Sequence, residues 1–312
     1  MIAVCGEALI DFAPIEISDN RAYLPIPGGS PYNVAIGLGR LGCPVDFIGK
    51  LSDDEFGQIL RKNLLSNGGR DRFTLSGPEP STLAFIHIED DRDPHFSFFS
   101  NNSADRNLTT SDLPKCLPSE IQAIHFGSFS LAHEPIASTL EKLIEREHNQ
   151  RIISIDPNIR PSFVTNKNHY INRLEKLISF ATIVKVSTED ISWMYPNQDP
   201  NEIISEWIHS GPNLVILTSG AEGSYAESSS GIKSTSPAHP VTIVDTVGAG
   251  DSFMSALLWW LSEKKFLNLE SMKTLSENDI QNLLLFSNKA ASITCGRSGA
   301  NPPFANEIEM DY

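Results

Sequence analysis

RIISID (151–156), TIVKVS (182–187) and NLVILTSG (213–220) are apolar runs of strand length, separated by the helical stretches YINRLEKLISFA (170–181), EDISWM (189–194) and NEIISEWIHS (201–210). Upstream, AIHFGSFSL (123–131) followed by EPIASTLEKLIEREHN (134–149) continues the same rhythm. Strand and helix in strict alternation predict an α/β fold, a doubly wound and mostly parallel sheet with helices on both faces. Ligands of such sheets gather at the carboxyl ends of the strands. DPNIR follows RIISI there, SGAEGS follows NLVILT, and DTVGAGD (245–251) follows VTIV (241–244), which has the apolar, β-branched composition of a strand. Three strand ends are therefore expected along one edge.

The junction DTVGAGDSF (245–253) carries the chemistry. It is a glycine-rich turn that opens the long apolar helix SFMSALLWWLSEK (252–264). The backbone N–H groups of Gly248, Ala249, Gly250 and Asp251 would lie at that helix N-terminus, where the helix dipole favours an anion and glycine lets phosphate oxygens come close. A carboxylate in an anion hole repels phosphate, so Asp251 fits better as the base that takes a proton from a hydroxyl attacking that phosphate. An aspartate here would also serve as an ordinary helix cap.

Composition narrows the partners. The chain has 312 residues, 40% of them hydrophobic, ample for a large buried core. Its formal net charge of −15 and pI near 4.9 argue against a general basic surface for nucleic acid or for an anionic membrane. The opening MIAVCGEALIDFAP lacks a basic lead and reads as a first core strand rather than a signal peptide. Cys5, Cys43, Cys116 and Cys295 are widely spaced and form no CxxC pair, which fits a reducing cytoplasm and suggests neither a zinc site nor a disulfide framework.

One stretch breaks the rhythm. STLAFIHIEDDRDPHFSFFS (81–100) alternates like two antiparallel strands around a DDRDP turn, and residues 12–27, rich in proline and β-prone residues, can add strands to the same small lid. Its aromatic face would cover a ligand or pair with a second copy of the chain. GLGRLG (37–42) matches a dinucleotide fingerprint by letter, but a helical PYNVAI precedes it and a strand-like PVDFIG follows, the reverse of what that fingerprint needs. Close helix packing and a helix cap account for these glycines.

PGGSPYNVAIGLGRLG (27–42) and DTVGAGDSF, with GEALIDF (6–12), SADRNLT (103–109), HFGSFSL (125–131), DPNIRPSF (156–163), VKVSTEDISWM (184–194) and LTSGAEGS (217–224) between them, resemble the ribokinase-like, phosphofructokinase B family of sugar kinases over essentially the whole chain. The fructokinase branch is the most similar. The resemblance implies one ribokinase-like kinase domain over 1–312, with a small β-sheet lid from about 12–28 and 81–103. It implies transfer of the ATP γ-phosphoryl to the 6-hydroxyl of fructose, with magnesium as cofactor. Asp251 matches the family's catalytic base, and Gly248, Ala249 and Gly250 its anion hole. Asp11, Gly28, Gly29 and Asn33 match sugar-binding positions. Arg160 matches a position near sugar and phosphate, and Arg106 reaches toward the sugar from the lid side. Ser187, Thr218, Gly220, Gly223 and Asn288 match nucleotide contacts, with Lys185 beside them.

Two departures qualify this pattern. Ser187 and Asp190 stand where many relatives carry Asn-x-x-Glu, so Asp190 is expected to act on magnesium through water. Pro303, in RSGANPP (297–303), replaces a cation-coordinating serine, which puts in question potassium activation through Asp245 and Val247. The alternatives are 2-keto-3-deoxygluconate kinase, another sugar kinase of the family, or an inactive relative that only binds sugar or nucleotide. FFSNNSADR (98–106) has no arginine beside its aromatic pair to grip an acid substrate, which favours a neutral sugar.

Overall fold

The computed structural model describes residues 1–18, 20–87 and 95–308. Thirteen described strands divide between two sheets. The large sheet contains β1 (Ile2–Cys5), β4 (Val45–Ser52), β5 (Gly69–Gly77), β8 (Ala123–Gly127), β9 (Ile152–Asp156), β10 (Ile183–Ser187), β11 (Leu214–Thr218), β12 (Ser224–Ser228) and β13 (Lys233–Ser236). The small one contains β2 (Leu9–Ile17), β3 (Asn20–Gly28), β6 (Thr82–His87) and β7 (His95–Phe99). The helices are α1 (Ser30–Arg40), α2 (Glu55–Ser66), α3 (Ile136–Glu147), α4 (Lys167–Phe180), α5 (Thr188–Met194), α6 (Pro200–Ser210), α7 (Ala249–Glu263), α8 (Leu269–Met272) and α9 (Glu277–Cys295).

The large sheet runs β13-β12-β11-β10-β9-β8-β1-β4-β5, with every pairing parallel except the two on either side of β12. Its strands are apolar on both faces because both are covered. In β1, Ile2 and Val4 pack into the core shared with α1, α7 and α9, while Ala3 and Cys5 pack into the other, shared with α3, α4 and α6. From β1 the chain proceeds outward through β4 and β5 in one direction, and later through β8 to β11 in the other. The strand order reverses between β1 and β8, and a crevice opens at such a switch point.

The small sheet, ordered β3-β2-β6-β7, is two antiparallel hairpins joined by the parallel pair β2–β6. It is built from the two segments expected to form the lid, although the DDRDP turn at 90–94 lies outside the described residues. The opening stretch is not one core strand. Only residues up to Cys5 join the large sheet; Gly6, at φ 150°, turns the chain out of it, and β2 begins the lid at Leu9. Residues 241–244 are not a strand either. Val241, Ile243 and Val244 are 41%, 61% and 62% exposed, and the segment attaches instead through the Val244 and Asp245 N–H groups to the Cys295 carbonyl at the end of α9. β-Branched composition marked a cavity wall here.

GLGRLG ends a helix, as its context required. A Cβ at Gly37 would lie 2.3 Å from Ser255 Oγ and one at Gly39 2.1 Å from the Asn67 carbonyl oxygen, so helix packing demands both glycines.

Candidate active site

Two cavities adjoin at the start of α7. The first, about 340 Å³, lies between the lid and the carboxyl ends of β1, β8 and β9, with Asp11, Asn33, Phe98, Phe129, Arg160 and Asp251 among its lining residues. The second, about 590 Å³, is lined by Lys185, Ser187, Thr218, Gly220, Gly223 and Asn288, with the apolar wall of Val241, Ile243, Phe253 and Ala291. Asn158, Thr246 and Gly250 line both. Each volume suits a small ligand.

Asp251 sits in the first turn of α7, 6% exposed. Ser30 Oγ donates to its Oδ1 at 2.6 Å and Asn33 Nδ2 to its Oδ2 at 2.8 Å, both from the first turn of α1. Burial raises its carboxyl above the ordinary range, against the opposing pull of Ser30, Asn33, Lys185 and Arg160. A carboxylate oxygen has two acceptor sites, so each oxygen keeps one for an incoming hydroxyl. Such a group is fixed in direction and more basic than a free aspartate, which suits a general base. Asn33 thus holds Asp251.

Gly248, at φ 77°, makes the turn into α7. It lines the first cavity, Ala249 the second and Gly250 both. The Ala249 N–H donates to the Thr246 carbonyl at 3.2 Å, which draws it into the turn.

Asp11 lies within β2, on the inner face of the lid. A Cβ at Gly28 would lie 2.2 Å from Asp11 Oδ2, so the glycine on the neighbouring strand makes room for that carboxylate. Burial pushes the Asp11 carboxyl up to about 7, with Arg160 pulling it down and Asp251 adding to the rise. Gly29, at φ 105°, caps α1 against the Glu7 backbone. Arg160 is exposed at the cavity wall, its NH1 2.6 Å from Asn158 Oδ1.

Lys185 is 4% exposed and bonds Asp156 Oδ2 at 2.9 Å. Burial opposes its charge, but Asp156, helped by Asp190 and Asp251, outweighs that and holds the ammonium above its ordinary range. Asn288 braces the second cavity from α9, its Nδ2 donating to Ser224 Oγ and to the Ser236 and Pro237 carbonyls.

Other expected residues are placed differently. Arg106 does not line the first cavity: it donates to the Ser100 carbonyl at 2.8 Å and faces His133 Nδ1 at 3.1 Å, so its charge fastens the base of the lid. Asp190 lines neither cavity. Its Oδ1 accepts from the Ile159 N–H at 2.7 Å and its Oδ2 from the Ser187 N–H at 3.3 Å, closing the cap of α5. Each of its oxygens thus holds one backbone N–H and keeps one acceptor site, and no group of three metal-binding side chains occurs among the described residues. The carboxylate bordering the second cavity is its neighbour Glu189. Asp245 accepts from the Val247 N–H at 3.0 Å and the Gly299 N–H at 2.8 Å, stitching two loops together.

A family model described as pfkB family carbohydrate kinase matches residues 1–307. The chain belongs to the pfkB family of carbohydrate kinases. A fructokinase from Rhizobium leguminosarum bv. trifolii is 37% identical over 283 residues, 90% of this chain and 86% of that protein. A probable fructokinase-4 from Arabidopsis thaliana is 33% identical over 99% of this chain and 95% of its own length. The solved fructokinase from Xylella fastidiosa with bound ATP superposes with a TM-score of 0.91 at 26% identity, covering 98% of this chain and 96% of that one.

In this pfkB family chain, sequence reasoning missed Ser30, Asn158, Glu7, Phe129 and Phe163, whereas Phe96 and Phe98, on the aromatic face expected of the small sheet, do line the first cavity. Ser30 and Asn158 lay inside quoted motifs, GGSP and DPNIR, but a lone serine or asparagine carries no signal until the fold brings the motifs together.

Proposed function

We propose that the protein transfers the γ-phosphoryl of ATP to the 6-hydroxyl of D-fructose, giving fructose 6-phosphate and ADP. The observation that carries this reading is the position of Asp251, a buried and doubly held carboxylate at a helix N-terminus where the two cavities meet. ATP would fill the larger cavity with its γ-phosphate at Gly250, and the sugar the smaller one. Asp251 takes the proton as the hydroxyl oxygen bonds to the γ-phosphorus and the bond to the β-phosphate bridging oxygen breaks. Lys185 and the α7 N-terminus meet the charge that collects on the phosphoryl oxygens. Magnesium bound with ATP would supply further charge neutralisation, and Glu189, which borders the larger cavity, would meet its water shell. Phe96, Phe98 and Phe129 cover the sugar and exclude water.

The charge of the sugar cavity favours a neutral substrate over 2-keto-3-deoxygluconate. Among the described residues, Glu7, Asp11 and Asp251 line it against the single cation Arg160, and Arg106 is committed elsewhere. ADP release measured with fructose, ribose, 2-keto-3-deoxygluconate, glucose and adenosine tests the assignment. Preference for the acid sugar would overturn it.

Three smaller proposals accompany this one. Ile17, Leu24 and Phe96 are 56%, 49% and 40% exposed on the lid face that carries Asp11, and a second copy of the chain would bury them in a homodimer; a monomer by light scattering would remove that pairing. Potassium would act at the Asp245 and Val247 junction, and equal turnover with sodium or potassium as the sole monovalent cation would discard it. The protein would work in the cytoplasm, where its four free cysteines stay reduced.

A further inference from the structure

Asn158 is a non-glycine residue held at φ 38°, a conformation that costs free energy unless its surroundings require it. It borders both cavities and sits in the middle of a chain of hydrogen bonds that all point one way. Arg160 NH1 donates to Asn158 Oδ1 at 2.6 Å, Asn158 Nδ2 donates to Ser30 Oγ at 2.7 Å, and Ser30 Oγ donates to Asp251 Oδ1 at 2.6 Å. The direction is forced by chemistry. A guanidinium only donates, so Asn158 must face it with its carbonyl; the amide then donates to the serine, whose single proton goes to the carboxylate.

We propose that Arg160, Asn158 and Ser30 form a positioning relay that fixes the orientation and basicity of Asp251 and ties both to the arginine at the mouth of the sugar cavity. This rests on Asp251 being the base of the proposed reaction. Aligned donors strengthen one another, and the chain ends on an anion, where each added donor counts most. Ser30 lies in the first turn of α1 and Asn158 in the loop after β9, so the relay also couples two elements far apart in the chain. Other charged groups act on Asp251 as well: Lys185 of β10, Asp156 of β9, and Asp11 from the lid. None of them donates a hydrogen bond to it, so they set its field but not its direction.

Ser30→Ala removes the last donor. Asn158→Asp keeps an acceptor for Arg160 and a side chain that tolerates left-handed backbone, but its second oxygen competes with Asp251 for the serine proton. Each variant is expected to lower kcat on the order of tenfold with little change in the Michaelis constant for ATP. The acid limb of the kcat profile should move to higher pH by at least about half a unit, because a lost donor leaves the carboxylate easier to protonate. In the double variant the two losses should not multiply, since both cut the same chain. Ser30→Thr, which keeps the hydroxyl, should restore the limb. Ser30→Ala with wild-type turnover and an unmoved limb, or single losses that multiply in the double variant, would overturn the relay. Ser30→Ala decides the matter alone where Asn158→Asp does not fold. Asp251→Asn run alongside keeps the two questions apart: if it stays active, the base assignment itself has failed.

Discussion

Lys185 occupies the space beside Gly250 that a side chain would need: a Cβ at Gly250 would lie 3.0 Å from the Lys185 ammonium nitrogen, which Asp156 anchors at 2.9 Å. A buried cation therefore stands beside the glycine turn that opens α7. Its removal should have two separable effects. Lys185→Met is expected to abolish most turnover and to destabilise the fold by roughly 3–5 kcal/mol, because Asp156 is left as an uncompensated buried charge. Adding Asp156→Asn should recover stability but not turnover. Thermal midpoints and initial rates of the two variants check this; recovery of both together would show that Lys185 only serves packing.

Asp251→Asn keeps the shape of the side chain and can still meet the Ser30 hydroxyl with its carbonyl oxygen. The proton acceptor is lost. Nucleotide binding should survive while kcat falls roughly 10²- to 10⁴-fold. A variant within twofold of wild type would remove Asp251 from the chemistry.

Gly28→Ala should behave like Asp11→Ala, because the added methyl occupies the space where the Asp11 carboxylate rests. Both are expected to raise the Michaelis constant for fructose about tenfold or more and to leave that for ATP nearly unchanged. The wild-type fructose constant should rise as pH falls through about 7, where burial and the Asp251 charge have placed the Asp11 carboxyl, since the ionised form accepts sugar hydroxyls. A fructose constant that stays flat from about pH 6 to 8 would take Asp11 out of the site.

Glu7 is 1% exposed, and its Oε2 takes both the N–H and the hydroxyl of Ser130, whereas its Oε1 has no hydrogen-bond partner. Burial pushes its carboxyl up to about 7. With the folded value above the unfolded one, the neutral acid is favoured in the fold. The resulting stability is full below about pH 4 and is lost as pH rises through about 7, on the order of 3 kcal/mol. Glu7→Gln should therefore raise the thermal midpoint at about pH 8 and leave it unchanged or lower at about pH 4. The same shift at both pH values would show that charge burial is not its cause.

The alternation of strands and helices from 123 to 220 was legible because a parallel sheet buried on both faces forces continuous apolar runs. Residues 241–244 misled for a related reason, since a wall for a flat apolar ligand uses the same side chains as a strand. Asp251 and its glycines could be placed from sequence because one turn contains them all. The hydrogen bonds that hold Asp251 could not, because Ser30 and Asn33 reach it across 221 and 218 residues of chain, and Asn158 reaches Ser30 across 128. Arg106 and Asp190 matched functional motifs, yet local donors and acceptors engage them first: Ser100 and His133 for the arginine, the Ser187 and Ile159 amides for the aspartate.

The lid is fastened through aromatic rings. Phe98 of β7 lies 4.4 Å from Phe163 between ring centroids, and Phe163 stacks on Phe129 at 4.7 Å, so one ring from the loop after β9 joins the lid to the turn after β8. Phe96 and Phe98 line the first cavity directly. An isolated hairpin is marginally stable in water, so this contact and the ligand beneath it govern how far the lid stays closed. Fructose should slow amide exchange in Thr82–His87 and at Gly28 and Gly29, because closure orders both the cover and its hinge. Phe163→Ala should accelerate exchange there in the free protein and raise the Michaelis constant for fructose, while leaving exchange in the buried strands β9 and β10 slow. Saturating fructose that protects none of these amides while turnover remains normal would refute the lid and leave the phosphoryl-transfer chemistry standing.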